Sequence, residues 1–323
     1  MDEDYQKYLD LLHKSSVSDE LIDDLIDKIT GQRIKLKSRV IGGEINEVYR
    51  IELVNNLRYI LRIAHKDKSE FLVESWAMKQ VEQVGVKVPE VVMIDNLEIE
   101  GGLYSYCLME EIIGDTMERG TLEWHTLDVY QQKNWLYKSG EVLSLIHSVN
   151  TKGWGPYLEE GKSEYETAGE LLDEYLDKRL KYLEIAQEIG AEVWVDKMIS
   201  VLHANAELLT NGVSCLNHGD FGPKHIIIAG DSISGIIDWG LVRSDVRFAD
   251  IANWDYWFDD YPVKWLLEGY QDKTIFDDDF DIKIHLLRMI KGIDVIEWYW
   301  GQKYEKGVSD AVVKLKKDVE FFD

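Results

Sequence analysis

At 323 residues and a formal net charge of −25, the chain is long enough for two domains with a sizeable core. Its acidity excludes a general electrostatic attraction to nucleic acid or to an anionic membrane, while admitting a cationic small molecule. Cys107 and Cys215, each inside an apolar run, give neither a disulfide frame nor a zinc spacing, and indicate a reducing, cytoplasmic setting. The opening Met1-Asp-Glu-Asp-Tyr lacks the basic and apolar regions of a signal peptide, no run of about eighteen apolar residues predicts a membrane span, and there is no internal repeat.

In chain order, Ser18 precedes Asp19, Glu20, Leu21, Ile22, Leu25, Ile26 and Ile29: an N-cap, acids in the first turn and apolar residues at helical spacing, closed by Gly31. Lys35 to Asn46 predicts a strand entering a turn at Gly42-Gly43, with Val48, Ile51 and Leu53 starting the return strand. Such a turn is either a plain β-hairpin or a loop whose backbone N–H groups approach phosphate oxygens. It lacks the Walker pattern G-x-x-x-x-G-K-[ST]. Tyr59 to Ile63 predicts the next strand and Phe71 to Val84 a helix, with Phe71, Trp76, Ala77 and Val81 on its buried side. Val88 to Ile94 and Leu103 to Met109 predict two further strands. The remainder is mostly helical: Tyr130 to Val149, Ala168 to Ala186 and Val193 to Leu209, with a loop over Gly153 to Gly161 and a turn at Asn211-Gly212.

The chemistry concentrates in Leu216 to Trp257. Two β-branched runs, Ile226-Ile-Ile228 and Ile236-Ile237, follow a polar loop carrying His218, Asp220, Lys224 and His225, and the second run ends in Asp238. A kinase catalytic loop reads H-x-D-x-x-x-x-N, its Asp taking the substrate hydroxyl's proton, and a second Asp beyond the next hairpin holds the phosphate-bridging metal. Here the loop is H-x-D-x-x-x-x-H, with Asp238 eighteen residues after Asp220.

This block resembles the aminoglycoside phosphotransferase and choline kinase superfamily, with its H-G-D-x-x-x-x-N and I-D-W segments. Ser244-Asp245-Val-Arg-Phe-Ala249-Asp250-Ile251-Ala252 is similar to that family's G-D-P-x-x-D-L-A. D-F-G after the loop His, the I-D-W ending and Gly153-Trp154-Gly155-Pro156 resemble the hygromycin kinases in particular. The resemblance implies an α+β, two-lobed protein-kinase-like fold, a small antiparallel β lobe over residues 1–113 and a larger, mainly helical lobe over 114–323. It further implies ATP or GTP as co-substrate and Mg²⁺ as cofactor. Asp220 is then the catalytic base and Asp238 a metal ligand. Gly42 and Gly43 cover the nucleotide. Arg62 stands where kinases place the phosphate-binding lysine, with Lys66 or Lys68 as substitutes, and Glu74 is its acidic partner. The backbone of Glu110 and Ile112 holds the adenine with Met109 behind the ring. His218 braces the loop, and Lys224 faces either the γ-phosphate or solvent.

An acceptor pocket lined by Asp255, Asp259 and Asp260 follows from the family's habit of meeting polyamine sugars with acids. A solvated helix-end cluster explains those acids equally, Trp254 and Trp257 have an ordinary core role open to them, and Asp277 to Asp279 is a solvated loop. His147, in an L-x-x-L-H helix, is a packed core histidine. The expected protein is a monomer that phosphorylates an aminoglycoside such as hygromycin, binding neither nucleic acid nor membrane. His225 is the main departure: imidazole suits zinc, copper or iron better than Mg²⁺, so it is either a weak metal donor or a hydrogen-bond partner of Asp220. Some macrolide kinases of the superfamily carry His there, which keeps a macrolide acceptor open beside a cellular sugar or choline-like amine. Outside the class stand a kinase-fold binding protein without transfer activity and a metallohydrolase using His218, Asp220, His225 and Asp238. The second lacks any H-x-H or H-E-x-x-H pair.

Overall fold

The structure, a computed structural model, describes residues 17–40, 46–99, 101–118 and 123–323. Gly42 and Gly43 therefore lie outside the described residues. The first helix, α1 (Asp19–Thr30), is capped by the Ser18 hydroxyl, which accepts from the Leu21 N–H at 3.2 Å, and ends on left-handed Gly31. A five-stranded antiparallel sheet follows: β1 (Ile34–Arg39), β2 (Glu47–Leu53), β3 (Arg58–Ala64), β4 (Val91–Ile99) and β5 (Gly102–Glu110), in the spatial order β1-β2-β3-β5-β4.

Alternation along β3 and β5 gives the sheet two different faces. Leu61, Ile63, Tyr106 and Leu108 pack with Ile22, Leu25 and Ile26 of α1. Ala64, Cys107 and Met109 point the other way and meet Phe71 of α2 (Ser69–Gln83). Arg62 shares the second face, its guanidinium 5.2 Å from the Phe71 ring centre, so the cation is aimed at the cleft beneath the sheet.

Below the sheet, α3 (Val129–Ile146) starts with a reciprocal capping box between Asp128 and Gln131. Trp154 to Glu159 and Lys162 to Tyr165 form the hairpin β7–β8, where the glycine- and proline-rich sequence suggested a loop. Pairing to a distant strand overrides that local signal, since β7 lies against β12 (Arg243–Asp245), which in turn pairs with β9 (Cys215–Asn217). The two long helical patterns each split. The first becomes α4 (Ala168–Asp177) and α5 (Arg179–Ile189), the second α6 (Glu192–Ala204) and α7 (Ala206–Thr210). No glycine or proline marks either break. The pieces bury Leu172, Tyr182, Val195 and Leu202 in one core with Leu286 and Ile293 of α10 (Phe280–Gly301) and Leu315 of α11 (Glu305–Glu320).

The central block folds as strand, loop, one helical turn (Pro223–His225) and the hairpin β10 (Ile226–Ala229) and β11 (Ser232–Ile236), with β6 (Asp115–Thr116) pairing to β10. After β12 come α8 (Phe248–Trp257) and α9 (Val263–Gly269). Leu216, Phe221, Ile226, Ile236, Trp239 and Trp254 join Ala77 and Val81 of α2 in one core, so the same apolar residues that fold the block fix it against the small sheet. This is the α+β, two-lobed kinase-like architecture. Among the described residues no helix is long and apolar enough to cross a membrane.

Candidate active site

The loop between β9 and β10 is held from beneath. Asp250, on α8 and buried, accepts from the N–H groups of His218 and Gly219, each at 2.8 Å, and lies 3.2 Å from Nε2 of buried His147. His147 in turn meets the Tyr270 hydroxyl at 3.0 Å. Burial raises the Asp250 pKa, but His147 and His218 outweigh it and hold the carboxyl below its usual range. Gly219 adopts φ +82°, and a Cβ there would stand 1.9 Å from the Leu241 carbonyl oxygen, so no other residue fits.

His218 is fully buried. Its Nδ1 accepts the Asp220 N–H at 3.3 Å, so Nε2–H donates to the Ile237 carbonyl at 3.1 Å, tying the catalytic loop to the strand end that carries Asp238. Burial, with His225 nearby, pushes the His218 pKa down. The ring is a neutral brace.

Asp220, Lys224, His225, Asp238, Arg62 and Glu74 converge in the cleft. The Lys224 ammonium is 2.8 Å from Asp220 Oδ2. His225 Nδ1–H donates to the Asp220 carbonyl at 2.9 Å and stands 3.7 Å from its carboxylate, while Nε2 faces Asp238 Oδ2 at 3.3 Å. Asp238 occupies the left-handed region at φ +66°, a strained setting for a residue with a side chain, and presents its carboxylate half-exposed to the cleft. Burial raises its pKa, but His225 and Arg62 win, and the group stays below the ordinary carboxylate range. Arg62 forks onto Glu74: Nη1 donates to Oε2 and Nη2 to Oε1 at 3.2 Å, with Asp238 Oδ1 3.9 Å from Nη2. Both partners are buried, so burial raises the Glu74 pKa against the pull of Arg62. Lys66 pairs with Glu70 and Lys68 with Asp95, so neither substitutes for Arg62.

Between the lobes, the N–H of Glu110 donates to the Glu90 carbonyl at 2.8 Å and that of Glu111 to the Arg58 carbonyl at 3.0 Å. The next N–H, on Ile112, donates to no backbone carbonyl among the described residues. Met109 is buried on the Arg62 face of the sheet.

A cavity of about 120 Å³ opens beside Gly219, with Arg243, Asp245, Asn253, Lys291 and Asp294 among its polar lining residues. It does not include the three acids read from the sequence as acceptor ligands. Asp255 is engaged by Arg288 Nη1 at 2.6 Å, Asp259 is exposed and 3.9 Å from Lys314, and exposed Asp260 offers its carbonyl to Trp124 Nε1 at 3.1 Å. Cations from α10 and α11 thus stand beside Asp255 and Asp259, and the cavity behind the catalytic loop is lined by other residues. Sequence reading also missed the anchoring part of Asp250, for which its place in the F-A-D-I-A segment was the available signal. Trp254 is fully buried in the core.

The fold implies a divalent cation, and the donor set fits one. His225 Nδ1 is committed to the Asp220 carbonyl, which leaves Nε2 and the Asp238 carboxylate facing each other at 3.3 Å as a nitrogen and an oxygen donor that one ion would share. Neighbouring ligands of a six-coordinate ion, each at about 2.1 Å, are roughly 3 Å apart.

An ion pair between Arg62 of the small sheet and Glu74 of α2, a buried histidine brace, and two aspartates joined through His225 define a protein-kinase-like phosphotransferase site. The family comparison agrees. The model of the phosphotransferase enzyme family, APH, matches residues 38–279, and the chain belongs to that family. It is a small-molecule kinase that transfers a phosphoryl group to a hydroxyl. Among solved structures it is similar to a thermostable mutant of aminoglycoside phosphotransferase APH(4)-Ia in ternary complex with AMP-PNP and hygromycin B. The TM-score is 0.76 and the identity 17%, over 93% of this chain and 98% of that chain. It is also similar to APH(2")-IIa in complex with gentamicin (TM-score 0.62, 14% identity, 94% of this chain and 97% of that chain). A third is a putative fructosamine-3-kinase from Thermobifida fusca (TM-score 0.63, 17% identity, 92% of this chain and 98% of that chain). Comparison with curated proteins found none that matches this sequence.

Proposed function

We propose that the chain is an ATP- or GTP-dependent O-phosphotransferase whose acceptor is a hydroxylated small molecule, cationic overall, of the aminoglycoside type that includes hygromycin. The observation that carries this is the unbroken line of contacts from Arg62 to Asp238 (3.9 Å), Asp238 to His225 (3.3 Å) and His225 to Asp220 (3.7 Å). It brings one arginine, one histidine and two aspartates together in one cleft, which supports reading Arg62 as the phosphate-binding cation, Asp238 as a metal ligand and Asp220 as the base. The net charge of −25 and a solved complex holding hygromycin B support a cationic acceptor.

In this reading the Glu110 carbonyl and the Ile112 N–H receive the base between lobes that divide near Ile113, with Met109 behind it. Arg62, locked by Glu74, presents its charge to the phosphates without having to reorganise. Asp238 would hold Mg²⁺, with His225 as the neighbouring donor, and the ion would supply charge neutralisation at the phosphates. Asp220 orients the acceptor hydroxyl and takes its proton, and Lys224 stands beside the developing charge.

Titration calorimetry with AMP-PNP, with and without Mg²⁺, tests the nucleotide half. Wild type is expected to bind more tightly with the ion, and Asp238→Ala to lose that dependence. Equal binding with and without Mg²⁺ in wild type would contradict the assignment of Asp238.

A further inference from the structure

The cavity beside Gly219 contains polar groups with nothing to bind. Asn253 is 5% exposed, and both its Oδ1 and its Nδ2 are buried without a partner. The Arg243 Nε is likewise buried and unpaired, although the rest of its guanidinium reaches Asp245 at 3.0 Å and the Tyr175 hydroxyl at 3.2 Å. Lys291, on α10, has no hydrogen-bond or ion-pair partner among the described residues and lies within electrostatic reach of Asp220. Unsatisfied buried amides are costly and rare, so such a group is a seat for something the protein binds.

The unspent groups give the chemistry. Three are donors: Asn253 Nδ2, Arg243 Nε and Lys291 Nζ. The carboxylates are mostly used up, Asp245 by Arg243 and the Val246 N–H (2.8 Å), Asp250 by two loop N–H groups and His147. Asp294 makes no ion pair among the described residues, and burial pushes its pKa up, which favours its uncharged form. Leu172, Leu287 and Ile290 supply an apolar wall. Three donors, with the Asn253 amide oxygen and the Asp294 carboxyl beside an apolar wall, suit a ring whose hydroxyls each give and take a hydrogen bond. At about 10–15 Å³ per water-sized position, about 120 Å³ holds on the order of ten such positions, about one six-membered ring with its hydroxyls.

We propose that this cavity seats one uncharged, hydroxyl-rich ring of the acceptor, a sugar or cyclitol ring without an amino group at its buried end, and that Asn253 and Lys291 set this preference. The proposal rests on the reading of Asp220 as the group that faces the acceptor. Asn253 gives one hydrogen bond to a ring hydroxyl and accepts another. Lys291 donates to a hydroxyl and repels an ammonium group placed beside it. The amines of a cationic acceptor then stay outside the cavity.

Saturation-transfer NMR on the full chain, with D-glucose and D-glucosamine as ring probes, tests this without any turnover. Glucose is expected to bind, and glucosamine to bind at least about tenfold more weakly. Lys291→Met should remove the difference. Asn253→Asp, which adds a carboxylate, should shift it toward glucosamine. ATP binding and thermal melting check that each variant is folded. Glucosamine binding as well as glucose to wild type, neither sugar binding, or a preference unchanged in both variants would overturn the proposal. Loss of phosphate transfer with every acceptor, alongside an intact sugar preference, would sink the kinase reading of this chain's chemistry and leave the cavity's assignment standing.

Discussion

The two sides of the cleft treat polar groups in opposite ways. In the loop and on the sheet above it nearly every polar group is already spent within the protein: Arg62 on Glu74 and Asp238, Asp250 on the loop N–H groups, His218 on the Asp220 N–H and the Ile237 carbonyl. In the cavity behind the loop, Asn253, Lys291 and part of Arg243 are left unspent. The first arrangement makes a rigid, preorganised frame for phosphoryl transfer. The second sacrifices stability for recognition, because a buried polar group without a partner costs about 1–3 kcal/mol until a ligand supplies one. In the proposed reading, the transfer machinery is wired internally and discrimination between acceptors is kept in groups that stay open.

Breaking the wired side should cost most. Asp250→Ala would orphan two loop N–H groups and the buried His147, and is expected to destabilise the fold by about 3–5 kcal/mol, read as a drop in the denaturation midpoint. A loss under about 1 kcal/mol would mean the loop is held elsewhere. Next, Arg62→Ala leaves Glu74 buried without its cation and should cost about 3 kcal/mol, whereas Arg62→Ala/Glu74→Leu should recover much of it. Additive losses in that double-mutant cycle would deny the coupling.

The unspent side should respond in the opposite direction. Asn253→Leu removes two buried, unpartnered atoms, so thermal melting should show no loss of stability or a gain of about 1 kcal/mol, together with loss of acceptor binding. Smaller effects sharpen the contrast. His225→Asn exchanges a nitrogen donor for an oxygen donor and should move the preference between Mn²⁺ and Mg²⁺ several-fold toward Mg²⁺ in nucleotide-binding titrations. Burial pushes the Cys107 thiol up to about 12, so a disulfide exchange reagent at pH 8 should label it only after unfolding.

For pH, the sign follows from His218. Its folded pKa lies below the ordinary histidine value, so the unfolded chain binds the extra proton first. The contribution of the neutral ring is full above about pH 6.5 and is lost as pH falls through that value toward the folded pKa. Melting at pH 7 and pH 5 should therefore show a larger acid-induced loss in wild type than in His218→Asn.

How much the sequence disclosed divides along the same line. The loop from His218 to His225 and the strand end at Asp238 are contiguous, so spacing alone placed Asp220, His225 and Asp238 together. Arg62 and Glu74 lie twelve residues apart on neighbouring elements, and the kinase resemblance paired them by their order along the chain. The helix of residues 19–30 announced itself through Ser18, its acids and Gly31. The cavity was illegible because Arg243, Asn253 and Lys291 come from β12, α8 and α10, which only packing assembles. The ion pair of Asp255 was illegible for the same reason: Arg288, its partner, lies 33 residues further along the chain. The β7–β8 hairpin was hidden because its glycines and proline match a loop locally, and its partner strand is far away in sequence.

The most direct test of the account is nucleotide consumption in Mg²⁺ against hygromycin B, other aminoglycosides, macrolides, choline and simple sugars, run beside Asp220→Ala. Turnover with an acceptor bearing a hydroxyl, reduced by about 10²–10⁴ in Asp220→Ala with nucleotide binding unchanged, is the predicted result. Turnover that survives Asp220→Ala undiminished would contradict the assignment of the catalytic base, and failure of the wild-type protein to bind ATP would contradict the reading of the whole cleft.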